Sequence, residues 1–157
     1  MADRPSPVFR RTDEVLLIGM MATYGTQAEA TEGIPKQWRA FLRAHPEAQK
    51  SSKLYGASPC TGDGRIHYLT GVAQEGAEGV EAGERLTLEA GEYAFVRVDD
   101  RALLRDTWVW LLNDWLRSSG RRERNAPEFE RYTGISEEGT PIGAVEIWIP
   151  LEPSAGD

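Results

Sequence analysis

Residues 126–151 read APEFERYTGISEEGTPIGAVEIWIPL. Two short alternating runs flank a turn region rich in Gly, Ser and Pro. In the first run Glu128, Glu130 and Tyr132 share one face, with Phe129 on the other. In the second, Val145, Ile147, Ile149 and Leu151 share one face, with Glu146 and Trp148 on the other. Successive side chains of a strand point to opposite faces. The stretch therefore predicts a C-terminal hairpin with one apolar face and one face of carboxylates among aromatics. A carboxylate on a half-buried aromatic wall is costly unless something pairs with it. A Glu on a solvent-facing edge strand needs no partner. The pattern by itself allows either.

Working outward, 157 residues suit one domain with a sizeable core. The net charge of −7 argues against nucleic-acid binding through a basic face. One cysteine, Cys60, excludes an intramolecular disulfide and fits a reducing, cytoplasmic compartment. The opening MADRPSPVFRRTDE lacks the apolar core of a signal peptide, and the longest apolar run, LLIGMMA, is far short of a membrane span. No nucleophile elbow, phosphate loop, HExxH or paired CxxC is present. His45, His67 and Cys60 make a poor metal set, so neither metal nor cofactor is expected.

In chain order, residues 1–12 are polar and read as a flexible lead, residues 13–152 as one domain, and residues 153–157 as a tail. Glu14–Tyr24 is a nearly continuous apolar run, a strand buried on both faces. Ile34, Trp38, Phe41 and Leu42 recur with helical spacing, and Pro35 places the helix start shortly before it. Strands follow at Lys53–Ser58 and Arg65–Gln74, then a Gly/Glu-rich acidic loop over Glu75–Gly83, a brief strand at Arg85–Leu88 and a strand at Glu92–Val98. Asp99 or Asp100 caps a second helix, whose apolar stripe is Leu103, Leu104, Trp108, Leu111, Leu112 and Trp115, and Gly120 ends it. Trp108 and Trp115 suit core packing better than a ligand wall. The order is strand-helix-strand-strand, given twice, with one extra short strand between. The expected fold is α+β: duplicated β-α-β-β halves with pseudo-twofold symmetry, antiparallel sheets and two main helices around a central cleft.

Several segments together carry a resemblance: YGAS at Tyr55, IHYLTGV around Tyr68, GEYAFVRV from Gly91, the Trp-rich helix ending WLRSSG, EFERY at Glu128–Tyr132 and VEIWIPL at the C-terminus. In this order and spacing the chain resembles, from about residue 12 to 152, the GyrI-like small-molecule-binding family. That family also forms the effector-binding domain of AraC-type and MerR-type regulators such as Rob and BmrR. The resemblance implies a cleft for lipophilic, often cationic, compounds. It implies that Glu130 meets the ligand's charge and that Tyr55 and Tyr68 stack on it. The strand faces add Tyr132, Trp148 and Glu146 to the expected ligand-binding set. The regulators carry a helix-turn-helix domain that this sequence lacks, so no direct DNA binding is expected.

Three functions compete on this basis. The first is a stand-alone binder that senses or sequesters a toxic or drug-like compound. The second is a hydrolase of cyclopropane-bearing electrophilic toxins, with Glu130 catalytic. The third is a gyrase-inhibitor-like module that binds another protein. The binder ranks first. A protein partner or a homodimer is left open, and no membrane association is expected.

Overall fold

The computed structural model describes residues 6–50, 53–59, 61–76 and 83–153. It holds one antiparallel sheet of eight strands: β1 (Val8–Thr12), β2 (Val15–Tyr24), β3 (Leu54–Ser58), β4 (Ile66–Ala73), β5 (Glu84–Leu88), β6 (Gly91–Val98), β7 (Glu128–Tyr132) and β8 (Val145–Pro150). Helix α1 (Gln27–Ala44) lies between β2 and β3. Helix α2 (Leu104–Trp110), a π-helical turn (Leu111–Trp115) and α3 (Leu116–Ser119) run on from one another between β6 and β7.

The strand order is β1-β6-β8-β7-β3-β4-β2-β5. It has the same form from either end, with the pseudo-twofold between β7 and β3. This is the expected duplication, with two corrections. The halves form a single continuous sheet, joined where Glu130 of β7 pairs with Gly56 of β3. And Val8–Thr12 is a strand, not a flexible lead. It pairs with β6 in the other half, as β5 pairs with β2. Each half thus lends its first strand to its partner. VFRRT has no clean alternation and is mostly exposed, which hid this strand from period-2 analysis.

The connections force the sheet to curl. Two residues link β1 to β2, yet six strand spacings separate them in the sheet. Flat, that gap would be about 29 Å, while three Cα steps reach at most about 11 Å. The β5–β6 connection meets the same constraint. The sheet must wrap into a half-barrel that brings its ends together. Gly19 and Gly71 face each other across β2 and β4. A Cβ on Gly19 would lie 2.0 Å from the Thr70 carbonyl oxygen, an approach that only glycine tolerates at a tight bend.

The helices share one sheet face. Trp38, Phe41 and Leu42 of α1 pack on Ile18, Leu54, Val72, Tyr132 and Val145. Leu111, with Leu104 and Trp108, packs on Val96, Val98, Ile147 and Ile149. Val145, Ile147 and Ile149 alternate along β8, so both clusters lie on the same side. The inside of the curl is filled without any helix, by Tyr55, Tyr93, Phe95, Phe129 and Trp148 with Leu17, Leu69 and Leu88.

Helix α1 starts seven residues before Ile34. The Thr26 hydroxyl accepts the Glu29 N–H and the Glu29 carboxylate accepts the Gly25 N–H. This T-x-x-E cap lets the helix continue through Pro35. Asp100 accepts the Ala102 N–H, and Gly120 is left-handed at φ 75°, as the sequence suggests. Leu103 falls outside the buried stripe, 43% exposed. The π-helical turn shifts the phase of the buried face, and a fixed 3.6-residue period misses that. His67 bonds Thr23 and Asp63, tying β4 to its loop. Cys60 and most of the acidic loop lie outside the described residues.

Candidate functional site

Glu130 sits at mid-sheet on the helix-bearing face and is 9% exposed. Both carboxylate oxygens are engaged. Oε1 accepts hydrogen bonds from the Tyr132 hydroxyl and, at 3.1 Å, from the Tyr68 hydroxyl. Oε2 accepts the Trp108 indole N–H at 2.7 Å. The two phenol oxygens lie 3.1 Å apart, so either hydroxyl can donate to the other in place of Oε1. Trp38 sets its ring edge-on to Tyr132, with centroids 5.4 Å apart. The box thus draws on β4, β7, α1 and α2, and so on both halves.

Local sequence explains how these groups meet. Tyr68 and Glu130 lie on strands that β3 separates. The Tyr68 phenol crosses β3 at Gly56, where a Cβ would fall 1.8 Å from its oxygen. The glycine of YGAS is therefore part of the site. Gln37 fixes the Tyr68 backbone, donating to its carbonyl at 2.8 Å and to that of Met20 at 3.0 Å, and it accepts from the Tyr24 hydroxyl. Trp108 reaches in because a buried indole N–H needs an acceptor.

Burial pushes the Glu130 carboxyl above the ordinary range, and its three hydrogen bonds pull part of the way back. Burial and the neighbouring carboxylate push the Tyr68 and Tyr132 hydroxyls well up, so both remain protonated donors. The carboxyl of Glu128, two residues back on the same face, belongs to a half-buried residue. Burial and a shared hydrogen bond with Glu123 push it well up too. Among the described residues Glu130 has no ion-pair partner, and no group of three His, Cys, Asp or Glu side chains could hold a metal ion.

The expected ligand set divides between the two faces. Tyr68, Glu130 and Tyr132 come together. Tyr55, Glu146 and Trp148 do not join them. Phe129 pairs with Trp148 and Glu130 with Ile147, so Glu130 shares the face of the apolar β8 residues. Glu146 and Trp148 point into the curl beside Arg131 and Phe129, where Trp148 and Phe129 stack with centroids 5.5 Å apart. Tyr55 packs there as well, 5.9 Å from Phe129. The single wall of two carboxylates and two aromatics is thus replaced by two faces. Hairpin register decides this, and the connection between Tyr132 and Val145 is too long to fix it from sequence. Trp108, Trp38 and Gly56 are the residues that sequence reasoning left out. The indole donor on the α2 stripe was the one signal for them.

Comparison with known proteins agrees with this architecture. Residues 10–151 match the profile of Cass2, described as integron-associated effector binding protein. The chain belongs to this effector-binding family. The fold is similar to SAV2435 solved with tetraphenylphosphonium, at a TM-score of 0.75 and 16% identity over 94% of each chain. It is similar to the Vibrio cholerae integron cassette protein VCH_CASS2, at 0.71 and 17% over 93% of this chain and 95% of that one. It is also similar to the C-terminal domain of EcmrR, at 0.60 and 12% over 94% and 98%. In the EcmrR–DNA complex the match covers 57% of the longer EcmrR chain. No curated protein matches the chain significantly in sequence. No helix among the described residues is long and apolar enough to cross a membrane.

Proposed function

We propose that this chain is an effector-binding protein of the GyrI-like kind. It captures a lipophilic cation at Glu130, in the cytoplasm, to sense or sequester a toxic or drug-like compound. One observation carries the reading: a buried carboxylate held by two phenols and an indole, with no counter-charge from the described residues. A cation brought to it would gain a charge-assisted contact in a desolvated box whose ring faces also favour positive charge. Trp108 donates its indole N–H to Glu130 Oε2, so a ligand that takes this oxygen displaces that bond. Tetraphenylphosphonium on the similarly folded SAV2435 supplies the natural probe. Calorimetric titration with tetraphenylphosphonium and with neutral triphenylphosphine oxide tests the reading. The cation should bind wild type more tightly than the neutral compound does. Equal affinity for the two would overturn it.

A second reading has one observation in its favour. A Glu raised above its ordinary range is what a general acid or base requires at neutral pH. As a hydrolase, the protein would open cyclopropane-bearing electrophiles by way of Glu130. Mass spectrometry of such compounds incubated with the protein would remove this reading if only the uncatalysed rate is found.

A further inference from the structure

A chain of hydrogen bonds reaches the Glu130 box from helix α1. Gln37 lies on the buried side of that helix and is 6% exposed. Its Nε2 carries two protons, and both are used. One goes to the Met20 carbonyl on β2 at 3.0 Å, the other to the Tyr68 carbonyl on β4 at 2.8 Å. Its Oε1 accepts the Tyr24 hydroxyl at 2.7 Å. A flipped amide would turn Oε1 onto two carbonyl oxygens, so these contacts fix its orientation. Tyr24, at the end of β2, is held in turn. Its ring lies against α1 at Gly33, where a Cβ would fall 2.3 Å from its Cε1. Burial raises the Tyr24 hydroxyl above its ordinary range, so it stays a donor at neutral pH.

Tyr68 carries the chain onward, from its carbonyl to its hydroxyl. Its backbone is tied to α1, its ring crosses β3 at Gly56, and its hydroxyl ends 3.1 Å from Glu130 Oε1. The phenol is rigid, so a displaced Tyr68 backbone takes the hydroxyl with it. The titratable groups facing Glu130 are Tyr132 and Glu128 on its own strand and Tyr68 on β4. Helix α2 contributes the Trp108 indole and α1 the Trp38 ring, while β3 and β8 oppose it with Gly56 and Ile147, and none of these carries charge. Gln37 and Tyr24 make their bonds elsewhere, so their influence on Glu130 passes through Tyr68.

We propose that Gln37 and Tyr24 are positioning residues for the cation site. Through Tyr68 they fix the hydrogen bond that Glu130 receives from β4, and with it the range of pH over which the site takes a cation. This rests on the reading of Glu130 as the charge partner of the ligand.

The test uses two variants of the whole chain. Gln37→Met keeps the length of the side chain and removes both donors and the acceptor. Tyr24→Phe keeps the ring and removes only the donor. The readout is a ¹³C titration of the Glu130 side-chain carboxyl, which needs no ligand. A loosened Tyr68 gives less to the charged form of Glu130, so the carboxyl should titrate higher. The rise should be about half a pH unit or more in Gln37→Met, and less in Tyr24→Phe. In a Tyr68→Phe background no hydroxyl is left to place, so adding Gln37→Met should move the titration no further. A merely structural contact would lower the urea midpoint in each background and leave the carboxyl unmoved. Tyr24→Phe decides the test if Gln37→Met does not fold. The proposal is overturned by a wild-type titration of Glu130 in either folded variant, or by an equal shift with and without the Tyr68 hydroxyl. Tetraphenylphosphonium titrations of the same samples, from about pH 5 to about pH 8, follow the acid limit of binding. That limit should move up with the carboxyl signal, and a limit that stays in place while the signal moves would also overturn the proposal. Failure of the cation to bind wild type would overturn the reading of Glu130 and not the chain of contacts, which the carboxyl signal tests by itself.

Discussion

Replacing Gly56 with Ala tests how the box is built. The added Cβ would lie 1.8 Å from the Tyr68 hydroxyl oxygen and 2.5 Å from its Cζ. Ordinary contact begins near 3.4 Å, so the phenol must retreat by more than an ångström. Its contacts with Glu130 and Tyr132, both 3.1 Å, cannot survive that movement. Losing a hydrogen bond to a buried charged group costs about 1.5–3 kcal/mol, and overpacking adds about 1–3 kcal/mol. Alanine's smaller backbone entropy returns about 0.5–1 kcal/mol. The expected net loss is about 2–5 kcal/mol, or a fall in Tm of roughly 5–15 °C for a chain of this size. Urea unfolding of wild type, Gly56→Ala, Tyr68→Ala and the double variant measures the coupling directly. With Tyr68 truncated, Gly56→Ala should be neutral or stabilising. If Gly56→Ala costs the same in both backgrounds, the phenol does not cross β3 at that glycine and the account of the site is wrong.

Three further outcomes follow from particular contacts. Thr26→Ala removes the α1 cap and should cost about 1 kcal/mol in urea unfolding; no change would mean that the helix starts elsewhere. A chain beginning at Asp13 lacks β1, including the Phe9–Trp115 contact and Arg10 over Phe95, and should show a clearly lower urea midpoint; an unchanged midpoint would restore residues 1–12 to a loose lead. Trp108→Phe removes a donor to the charged form of Glu130, so its carboxyl should titrate higher still. The pH below which tetraphenylphosphonium binding is lost should therefore move up in this variant, and a downward move would contradict the assigned hydrogen bond.

What the sequence discloses depends on how local the cause is. The alternations in EYAFVRV, EFERY and VEIWIP become β6, β7 and β8, and Asp100 and Gly120 bound the second helical segment. Glu130 stands out because EFERY, of which it is the central residue, resembles the family segment that meets the ligand's charge. The exchange of β1 and β5 between halves was hidden, because pairing partners are set by the curl of the whole sheet. Trp148 was assigned to the wrong face because one residue of hairpin register inverts every side chain. Trp108 was assigned to core packing, where its ring does lie, but only the fold shows its N–H reaching Glu130.

The central claim is that Glu130 supplies the charge for a cationic ligand, and its titration gives the most direct test. Tetraphenylphosphonium keeps its charge at every pH, so any pH dependence belongs to the protein. The cation needs the carboxylate form, and burial raises that carboxyl above the usual Glu value. Affinity should therefore be weak in acid and rise with pH through a window above the ordinary Glu range of about 4.3. The same raised value makes the folded state the better proton binder, so stability should fall as pH rises through that window. Glu130→Gln can accept from Trp108 and donate to a tyrosine hydroxyl, so it keeps the shape and loses the charge. The decisive measurement is calorimetric titration of tetraphenylphosphonium into wild type and Glu130→Gln from about pH 5 to about pH 8. The account predicts a loss of about tenfold to a hundredfold in the variant at the upper end, with no pH slope remaining. Equal affinity of the two proteins at pH 8, or the same slope in both, would contradict it.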